Sequence, residues 1–304
     1  MTRPASTIVL PPSLKIGEKI ALVSTARKIS KEELEPAIIL LESWGLEVVL
    51  GKNLFQSHHQ FAGTDQQRSE DLQQMMDDNS IKAILCVRGG YGTVRLMDQL
   101  DFSTFVKQPK WIAGFSDVTV LHSHINRLNI SSLHSTMPIS FANNTKEALE
   151  SLRKGLFGQV DSIQINSHPL NRTGIATAPI VGGNLSILCS LLSSNSDIDT
   201  KDKILFLEDL DEYLYHIDRM MMALKRSGKL DPLKGLIIGG MTKMNDNNIP
   251  YGKTAHEIIN EAVKEYHYPV CFNFPAGHIA DNRTIILGQN IRLNVNQKTT
   301  IEYE

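Results

Sequence analysis

The sequence predicts an α/β fold in two parts: an N-terminal domain built on a parallel sheet, and a C-terminal α/β domain that is richer in β-structure. Up to about residue 165, short apolar runs alternate with stretches whose apolar residues lie three and four apart, which indicates strands followed by amphipathic helices. The apolar runs are continuous, as in strands buried on both faces of a parallel sheet. The last segments alternate apolar and polar residues, which is typical of antiparallel strands.

The N-terminal elements follow one another as strand and helix. A first strand is predicted at Lys19–Ser24, after an extended lead-in over residues 1–18 that contains three prolines. Ser30 and Glu33 form a capping box that predicts the start of a helix, whereas Pro36 fits best in a first helical turn and predicts a later start. The remaining elements are predicted in this order: a strand at 46–50, a helix through 72–76 with a second capping box at Thr64 and Gln67, a strand at 84–87, and helices at 94–100, 118–128 and 145–156.

A polar, turn-rich stretch at 167–174 predicts a linker between two domains. We therefore expect an N-terminal domain over 1–166, a linker over 167–178 and a C-terminal domain over 179–304. The C-terminal elements predicted from apolar runs and periodicity are strands at 203–207 and 236–238, a helix between them with the apolar face Leu214, Ile217, Met221 and Leu224, and antiparallel strands marked by Ile291, Leu293 and Val295.

Composition excludes several classes of function. With 41% hydrophobic and 21% charged residues, the 304-residue chain can bury a sizeable core, and a net charge of −2 argues against nucleic acid or an anionic membrane as its main partner. The three cysteines are scattered in apolar runs, as expected of buried thiols in a reducing compartment. No apolar run approaches the ~20 residues of a membrane span, and the N-terminus lacks a signal-peptide pattern. We expect a cytoplasmic protein.

The stretch Trp111–His122 contains the first candidate for chemistry. An apolar run ending at Phe115 reads as a buried strand, and the apolar spacing becomes helical from Val118. Ser116 therefore lies at a sharp strand-to-helix turn, where a serine hydroxyl is exposed beside the first free N–H groups of a helix. Two interpretations stay open here: a nucleophile, or an N-cap that satisfies a backbone N–H. The turn lacks the second glycine of the G-x-S-x-G motif, because Val118 takes its place.

The loop Arg88–Gly92 holds three glycines in four positions after a predicted strand. Glycines let a backbone approach a ligand closely and expose its N–H groups, so the loop is suited to binding phosphate or to forming an oxyanion hole. A tight turn without a ligand is the third interpretation. The loop matches neither a P-loop nor a G-x-G-x-x-G fingerprint, and no His, Cys, Asp or Glu spacing matches a zinc or calcium site. No cofactor or metal is predicted.

A nucleophilic serine needs a base and an acid that orients the base. Among the ten histidines, His278 lies just past an apolar strand in a loop with Pro and Gly, where a side chain can reach a site at the strand ends; a loop histidine can equally be a surface residue. His122 and His124 are two apart and cannot share a helix face. Glu208 ends an apolar run, and Glu212 lies about one helical turn further along, so the choice of acid stays open.

Six segments of the chain form an ordered set of motifs: Ala62–Arg68, Val87–Gly92, Gly114–Asp117, Val181–Leu185, Leu205–Asp209 and the Gly277–His278 region. Together and in this order they resemble the LD-carboxypeptidase family of serine peptidases, which includes the microcin C7 self-immunity proteins.

The resemblance implies a Ser–Glu–His triad made of Ser116, Glu208 and His278, with an oxyanion hole formed by the backbone N–H groups of Gly90 and Asp117. It also implies an N-terminal α/β domain, a β-rich C-terminal domain and a homodimer with its site between the domains. The implied reaction is hydrolysis, through an acyl-enzyme, of the amide between an L-centre diamino acid and a terminal D-alanine in small murein peptides recovered during cell-wall recycling.

A carboxypeptidase of this type also needs a cation for the substrate's terminal carboxylate. Arg88 is the candidate because its guanidinium can hold a carboxylate bidentately, although it can instead brace its own loop. Gly89 and Tyr91 of the same loop complete the expected substrate contacts.

Two alternatives stay open. One is a hydrolase of peptidyl or aminoacyl nucleotides of the microcin C7 immunity type, which is expected to carry an aromatic platform for the base. Trp44 and Trp111 are the only tryptophans, and both fall in predicted core elements. The other is a non-enzymatic module that binds phosphate or a nucleotide with the Arg88–Gly92 loop.

Overall fold

The computed structural model describes residues 8–304, so the first seven residues of the predicted lead-in lie outside the described part of the chain. Within that part the strands are β1 (Lys19–Val23), β2 (Glu47–Leu50), β3 (Ile81–Cys86), β4 (Trp111–Gly114), β5 (Ser132–His134), β6 (Ile163–Asn166), β7 (Gly174–Asn184), β8 (Ile204–Leu210), β9 (Gly235–Thr242), β10 (Val270–Cys271), β11 (Ile285–Leu287), β12 (Asn290–Val295) and β13 (Lys298–Tyr303).

Helices connect these strands. They are α1 (Lys31–Ser43), α2 (Asp65–Asp77), α3 (Ser103–Lys107), α4 (Thr119–Arg127), α5 (Lys146–Phe157), α6 (Leu185–Ser190), α7 (Leu214–Arg226) and α8 (Ala255–Ala262). Short 3₁₀ turns lie at Thr93–Arg95, Met97–Gln99, Ser116–Val118 and Pro138–Asn143. No helix within residues 8–304 is long and apolar enough to cross a membrane.

The strands form two sheets, and the predicted fold class is confirmed. The first sheet has the order β11-β5-β4-β3-β1-β2 and is parallel except for β11, which runs antiparallel to β5. The second has the order β10-β9-β8-β7-β12-β13-β6; its first four strands are parallel and the last three are antiparallel. Its antiparallel strands include the predicted alternating segment, now β12.

The central parallel strands of each sheet are buried on both faces, whereas β6, β12 and β13 of the second sheet alternate exposed and buried residues. Along β1, Ile20 and Leu22 pack with α1 on one side, whereas Ala21 and Val23 pack with α2 and α4 on the other. The parallel strands of the second sheet pack on α6, α7 and α8 with one face. Their other face shares a core with residues of β11, β12 and β13, so this sheet curls over its own antiparallel strands.

Two local predictions are wrong. Helix α1 begins at Lys31, directly after the N-cap Ser30, so the start predicted from the capping box is confirmed; the later start predicted from Pro36 is wrong, because Pro36 lies inside the helix. A proline in a helix interior costs about 3 kcal/mol, and the cap and the buried face of α1 offset that cost. The helix predicted at 94–100 is instead two 3₁₀ turns, because Gly92 enters them at φ +146° and the stretch lacks a capping residue.

The two sheets exchange strands and contact each other directly. Strand β6 pairs with β13 of the second sheet, and β11 pairs with β5 of the first. The domain limits 1–166 and 179–304 remain a prediction. The first residue of α4, Thr119, accepts a hydrogen bond from the backbone N–H of Asn184 at the end of β7. This contact brings the carboxyl ends of β4, β7 and β8 together, where ligands bind in open α/β sheets.

Candidate active site

Ser116 lies in a strained turn beyond β4. Its φ is +62°, in the left-handed region that residues with a side chain rarely adopt. Among the described residues its hydroxyl accepts no backbone N–H, so Ser116 does not act as an N-cap; Oγ contacts His278 instead. A residue held in such a conformation outside a capping role is typical of a functional site.

The chain returns to this turn with His278, in the loop between β10 and β11. His278 Nε2 lies 3.1 Å from Ser116 Oγ. The imidazole packs on the Phe115 ring with the ring centres 4.8 Å apart, and Thr242 Oγ1 donates to the carbonyl of His278 at 3.1 Å. The histidine predicted as the base is therefore within hydrogen-bond reach of the predicted nucleophile.

Glu208, on β8, orients the histidine. Its fully buried carboxylate has Oε2 2.6 Å from His278 Nδ1 and 3.2 Å from the backbone nitrogen of His278. Glu212 is engaged elsewhere, because its Oε2 lies 2.5 Å from His216 Nδ1. Of the two glutamates that the sequence left open, the structure brings only Glu208 to His278.

Glycine at position 277 allows this approach. Gly277 has φ +104°, and a Cβ there would lie 2.7 Å from Glu208 Oε2. Its N–H donates to the buried side chain of Asn282 at 2.7 Å. Two side chains therefore anchor the loop that carries His278: Asn282 accepts the N–H of Gly277, and Glu208 accepts the N–H of His278.

The surroundings of His278 favour the protonated form of its imidazole. Burial alone lowers the pKa of His278, but the Glu208 carboxylate outweighs burial through its charge and hydrogen bond, so the pKa is raised above its ordinary value. Burial and the adjacent Glu208 raise the pKa of Asp209 to about 6. Asn184 Nδ2 and the Ser186 N–H each donate to the Asp209 carboxylate at 2.9 Å, so Asp209 supports the end of β8.

The glycine loop passes close to the serine. A Cβ on Gly89 would lie 3.2 Å from Ser116 Cβ. Within residues 8–304, the N–H groups of Gly90 and Asp117 donate to no protein acceptor. The Asp117 carboxylate accepts the N–H of Thr93 at 2.8 Å, which ties the loop to the serine turn, and burial raises its pKa. Two backbone donors next to a hydroxyl can stabilise a negatively charged oxygen.

These groups open into a cleft of about 540 Å³ lined by both halves of the chain. Of the predicted site residues, Arg88, Gly89, Gly90, Ser116 and His278 line it. Tyr91, predicted to contact substrate, does not; its ring packs near Phe61, with centres 6.2 Å apart. In the described part of the chain, no group of three or more His, Cys, Asp or Glu side chains is arranged to hold a metal ion.

Comparison with known families agrees with this geometry. Residues 20–135 match the LD-carboxypeptidase N-terminal domain, and residues 177–293 match the LD-carboxypeptidase C-terminal domain. The chain belongs to the LD-carboxypeptidase family. The resemblance predicted from six short segments is therefore confirmed, and membership makes the chain a serine-type hydrolase.

Curated relatives of this LD-carboxypeptidase family member span nearly its whole length. The chain is 32% identical over 301 residues to the probable murein peptide carboxypeptidase of Bacillus subtilis, covering 96% of this chain and 93% of that protein. It is 28% identical over 310 residues to the murein tetrapeptide carboxypeptidase of Pseudomonas aeruginosa, covering 97% and 98%.

Solved structures share the fold. The crystal structure of muramoyltetrapeptide carboxypeptidase from Oxalobacter formigenes superposes with a TM-score of 0.86 at 25% identity, covering 94% of this chain and 98% of that one. The wild-type apo microcin C7 self-immunity protein superposes with a TM-score of 0.87 at 20% identity, covering 97% and 98%. At 20% identity the second likeness shows the fold alone.

Sequence reasoning missed several residues of this site. Arg27 lines the cleft, yet the sequence shows only a single arginine after a predicted strand. Its place at the carboxyl end of β1, in a parallel sheet, is the signal that could have identified it. Asn282 supports the loop that carries His278, and Asp209 supports the end of β8, through contacts that no local pattern reveals.

Proposed function

We propose that this LD-carboxypeptidase family member releases the C-terminal D-alanine from murein tetrapeptides, by hydrolysis of the amide that follows an L-centre diamino acid. The observation that carries the proposal is the chain of contacts Ser116–His278–Glu208, with distances of 3.1 Å and 2.6 Å, at a cleft able to hold a short peptide. Relatives named murein peptide and murein tetrapeptide carboxypeptidases supply the substrate class.

The reaction begins with Ser116 as nucleophile. His278 Nε2 takes the proton of Oγ, and the oxygen attacks the scissile carbonyl carbon to form a tetrahedral intermediate. Glu208 keeps the proton of His278 on Nδ1, so that Nε2 is free to accept, and stabilises the imidazolium that forms. Oε2 has that role because it contacts both Nδ1 and the backbone nitrogen of His278.

The negative oxygen of the intermediate is bound by the N–H groups of Gly90 and Asp117. Loss of one such donor costs about 2.7–4 kcal/mol in a comparable hydrolase. His278 then donates its proton to the leaving nitrogen, and D-alanine departs. Water, deprotonated by the same imidazole, attacks the acyl-Ser116 ester and releases the tripeptide.

The proposal is tested with purified protein and L-Ala-γ-D-Glu-meso-diaminopimelyl-D-Ala, with free D-alanine and the tripeptide measured by mass spectrometry. We expect Ser116→Ala to lower kcat at least about a thousandfold, because triad members act as a unit. Ser190→Ala is the matched control, since Ser190 is an exposed serine on α6 whose hydroxyl bonds only to its own helix. A Ser116→Ala variant with wild-type turnover excludes Ser116 as nucleophile.

No specific observation favours either alternative, the nucleotide hydrolase or the non-enzymatic binding module. Trp111 is buried in β4 and Trp44 packs on the core beside α1, so neither tryptophan lines the cleft. The aromatic ring of Phe115 does line it, but that ring packs against the His278 imidazole. Adding an aminoacyl sulfamoyl adenylate as a second substrate distinguishes the two hydrolase interpretations. Its turnover without D-alanine release from the tetrapeptide favours the nucleotide hydrolase. A binding module that needs no chemistry predicts that Ser116→Ala leaves function intact.

A further inference from the structure

Covalent geometry fixes where a carboxypeptidase must hold the end of its substrate. Three bonds of about 1.3–1.5 Å separate the scissile carbonyl carbon from the terminal carboxylate carbon, so the carboxylate lies within about 4 Å of the carbon that Ser116 attacks. The cation that binds it must therefore lie beside the loop that holds the oxyanion. Two arginines, Arg27 and Arg88, line the cleft at that loop.

Arg88 is already engaged by the protein. Its guanidinium donates to the carbonyl of Lys28 at 3.1 Å and lies 3.7 Å from the Glu33 carboxylate. Lys28 lies in the segment between β1 and α1, and Glu33 lies in the first turn of α1. These contacts hold the glycine loop against that segment, which is the bracing role that the sequence left open for Arg88.

Arg27 is fixed at its backbone and free at its guanidinium. Its N–H donates to the Gly89 carbonyl at 3.4 Å, and its carbonyl accepts the Ser24 hydroxyl at 2.6 Å. Its side chain crosses Gly90: a Cβ on Gly90 would lie 2.6 Å from Arg27 Cδ and 2.7 Å from Nε. Within residues 8–304 the guanidinium has no hydrogen-bond or ion-pair partner.

We infer that Arg27, and not Arg88, binds the terminal carboxylate of the substrate. The inference rests on the proposed function and adds the residue that makes the enzyme an exopeptidase. The guanidinium reaches the cleft across the residue whose N–H is to hold the oxyanion, so the oxyanion and the carboxylate are bound by neighbouring groups. Glycine at position 90 is needed twice, for its φ of +113° and for the space that the arginine occupies.

The experiment compares two substrates, the tetrapeptide ending in D-alanine and the same peptide ending in D-alaninamide. The amide keeps the scissile bond and lacks the charge. We measure kcat/KM for both with wild type, Arg27→Gln and Arg88→Gln. Lys28→Gln is the matched control, because Lys28 is the next residue, carries the same charge and bonds to Ser57 outside the cleft.

Wild type and Lys28→Gln are expected to prefer the acid by about 10- to 100-fold, the range of a hydrogen bond to a charged group. Arg27→Gln should lose that preference by slowing on the acid while keeping its rate on the amide, which also shows that the variant is folded. Arg88→Gln should keep the preference.

Four outcomes overturn the inference. If Arg27→Gln retains the preference, Arg27 does not bind the carboxylate, and if only Arg88→Gln loses it, Arg88 does. If wild type cleaves both peptides equally, no residue discriminates the terminal carboxylate from the carboxamide, and the proposed hydrolysis still stands. If wild type cleaves neither peptide, the proposed function fails as well, which is a distinct result.

Discussion

A single oxygen of Glu208 contacts His278 twice, at 2.6 Å to ring Nδ1 and at 3.2 Å to the backbone nitrogen. Because the oxygen binds both the ring and the backbone, it fixes the orientation of the imidazole relative to β8. Ser116 then needs only its strained turn to place Oγ at the opposite ring nitrogen. The three groups come from two sheets and are held by contacts between them.

Glu208→Gln should lower kcat for D-alanine release by about 10³- to 10⁴-fold, because an amide at this position can present a donor to Nδ1 and stabilise the wrong tautomer. Glu212→Gln is the matched control, since that carboxylate pairs with His216. We expect the control to keep kcat near wild type. Equal losses in the two variants would contradict the assignment of Glu208.

The pH dependence follows from the sign of the His278 shift. The base must be neutral to accept a proton, and its pKa is raised above the ordinary 6.5. The acidic limb of kcat/KM should therefore lie above pH 6.5, with activity lost as the pH falls through the raised value. In Glu208→Gln the carboxylate is gone and burial remains, so the residual activity should persist to lower pH. A limb at the same pH in both proteins would exclude Glu208 as the cause.

Gly277→Ala should lower kcat by about 10²-fold, the cost of misplacing a catalytic group by about 1 Å. The new Cβ would lie 2.7 Å from Glu208 Oε2 and push the His278 loop away. Gly252→Ala is the control: its φ is +84° and nothing lies within 4 Å of an added Cβ. Both variants bear a backbone cost of about 1 kcal/mol, measured by thermal unfolding, but only Gly277→Ala should lose turnover.

Periodicity predicted most of the fold because it is a local signal. The strand at Lys19, both capping boxes and the antiparallel end of the chain follow from neighbouring residues. The 3₁₀ turns at 93–99 and the pairing of β11 with β5 do not, because they depend on loop geometry and on contacts that cross between the sheets.

The site shows the same division. The strand-to-helix turn made Ser116 a candidate but left its capping interpretation open, and the family resemblance selected Ser116, Glu208 and His278 together. Arg27 was missed, since nothing in the sequence shows that its side chain crosses Gly90. The three-residue 3₁₀ turn that begins at Ser116, and the positive φ of Ser116, are likewise set by packing rather than by the local pattern.

Asn282→Ala should destabilise the protein by about 1–3 kcal/mol, because the N–H of Gly277 would lose its acceptor in a buried environment. The loop that carries His278 would also lose an anchor, so kcat should fall more than KM rises. Asn296→Ala is the control, since Asn296 is exposed and bonds only to Asn294. Unchanged unfolding and kcat in Asn282→Ala would show that the loop is held by other contacts.

Thr119 connects the helix that follows Ser116 to the second sheet, and its hydroxyl should matter more than its methyl group. The fully buried Thr119 Oγ1 accepts the N–H of Asn184 at 3.0 Å, and a Cβ on Gly183 would lie 2.5 Å from the same oxygen. Asn184 in turn donates to Asp209, next to Glu208. One hydroxyl therefore joins the start of α4 to the end of β7, and Asn184 links that end to β8.

Thr119→Val keeps the shape of the side chain and removes the acceptor, so the Asn184 N–H stays buried without a partner at a cost of about 1–3 kcal/mol. Thr119→Ser keeps the acceptor and loses one methyl group, worth about 1 kcal/mol. We expect kcat to fall in Thr119→Val and to stay near wild type in Thr119→Ser, because only the valine variant releases Ser116 from the strand end beside Glu208. Denaturant unfolding and D-alanine release measured on both variants test this, and a serine variant as impaired in turnover as the valine variant would assign the effect to packing instead.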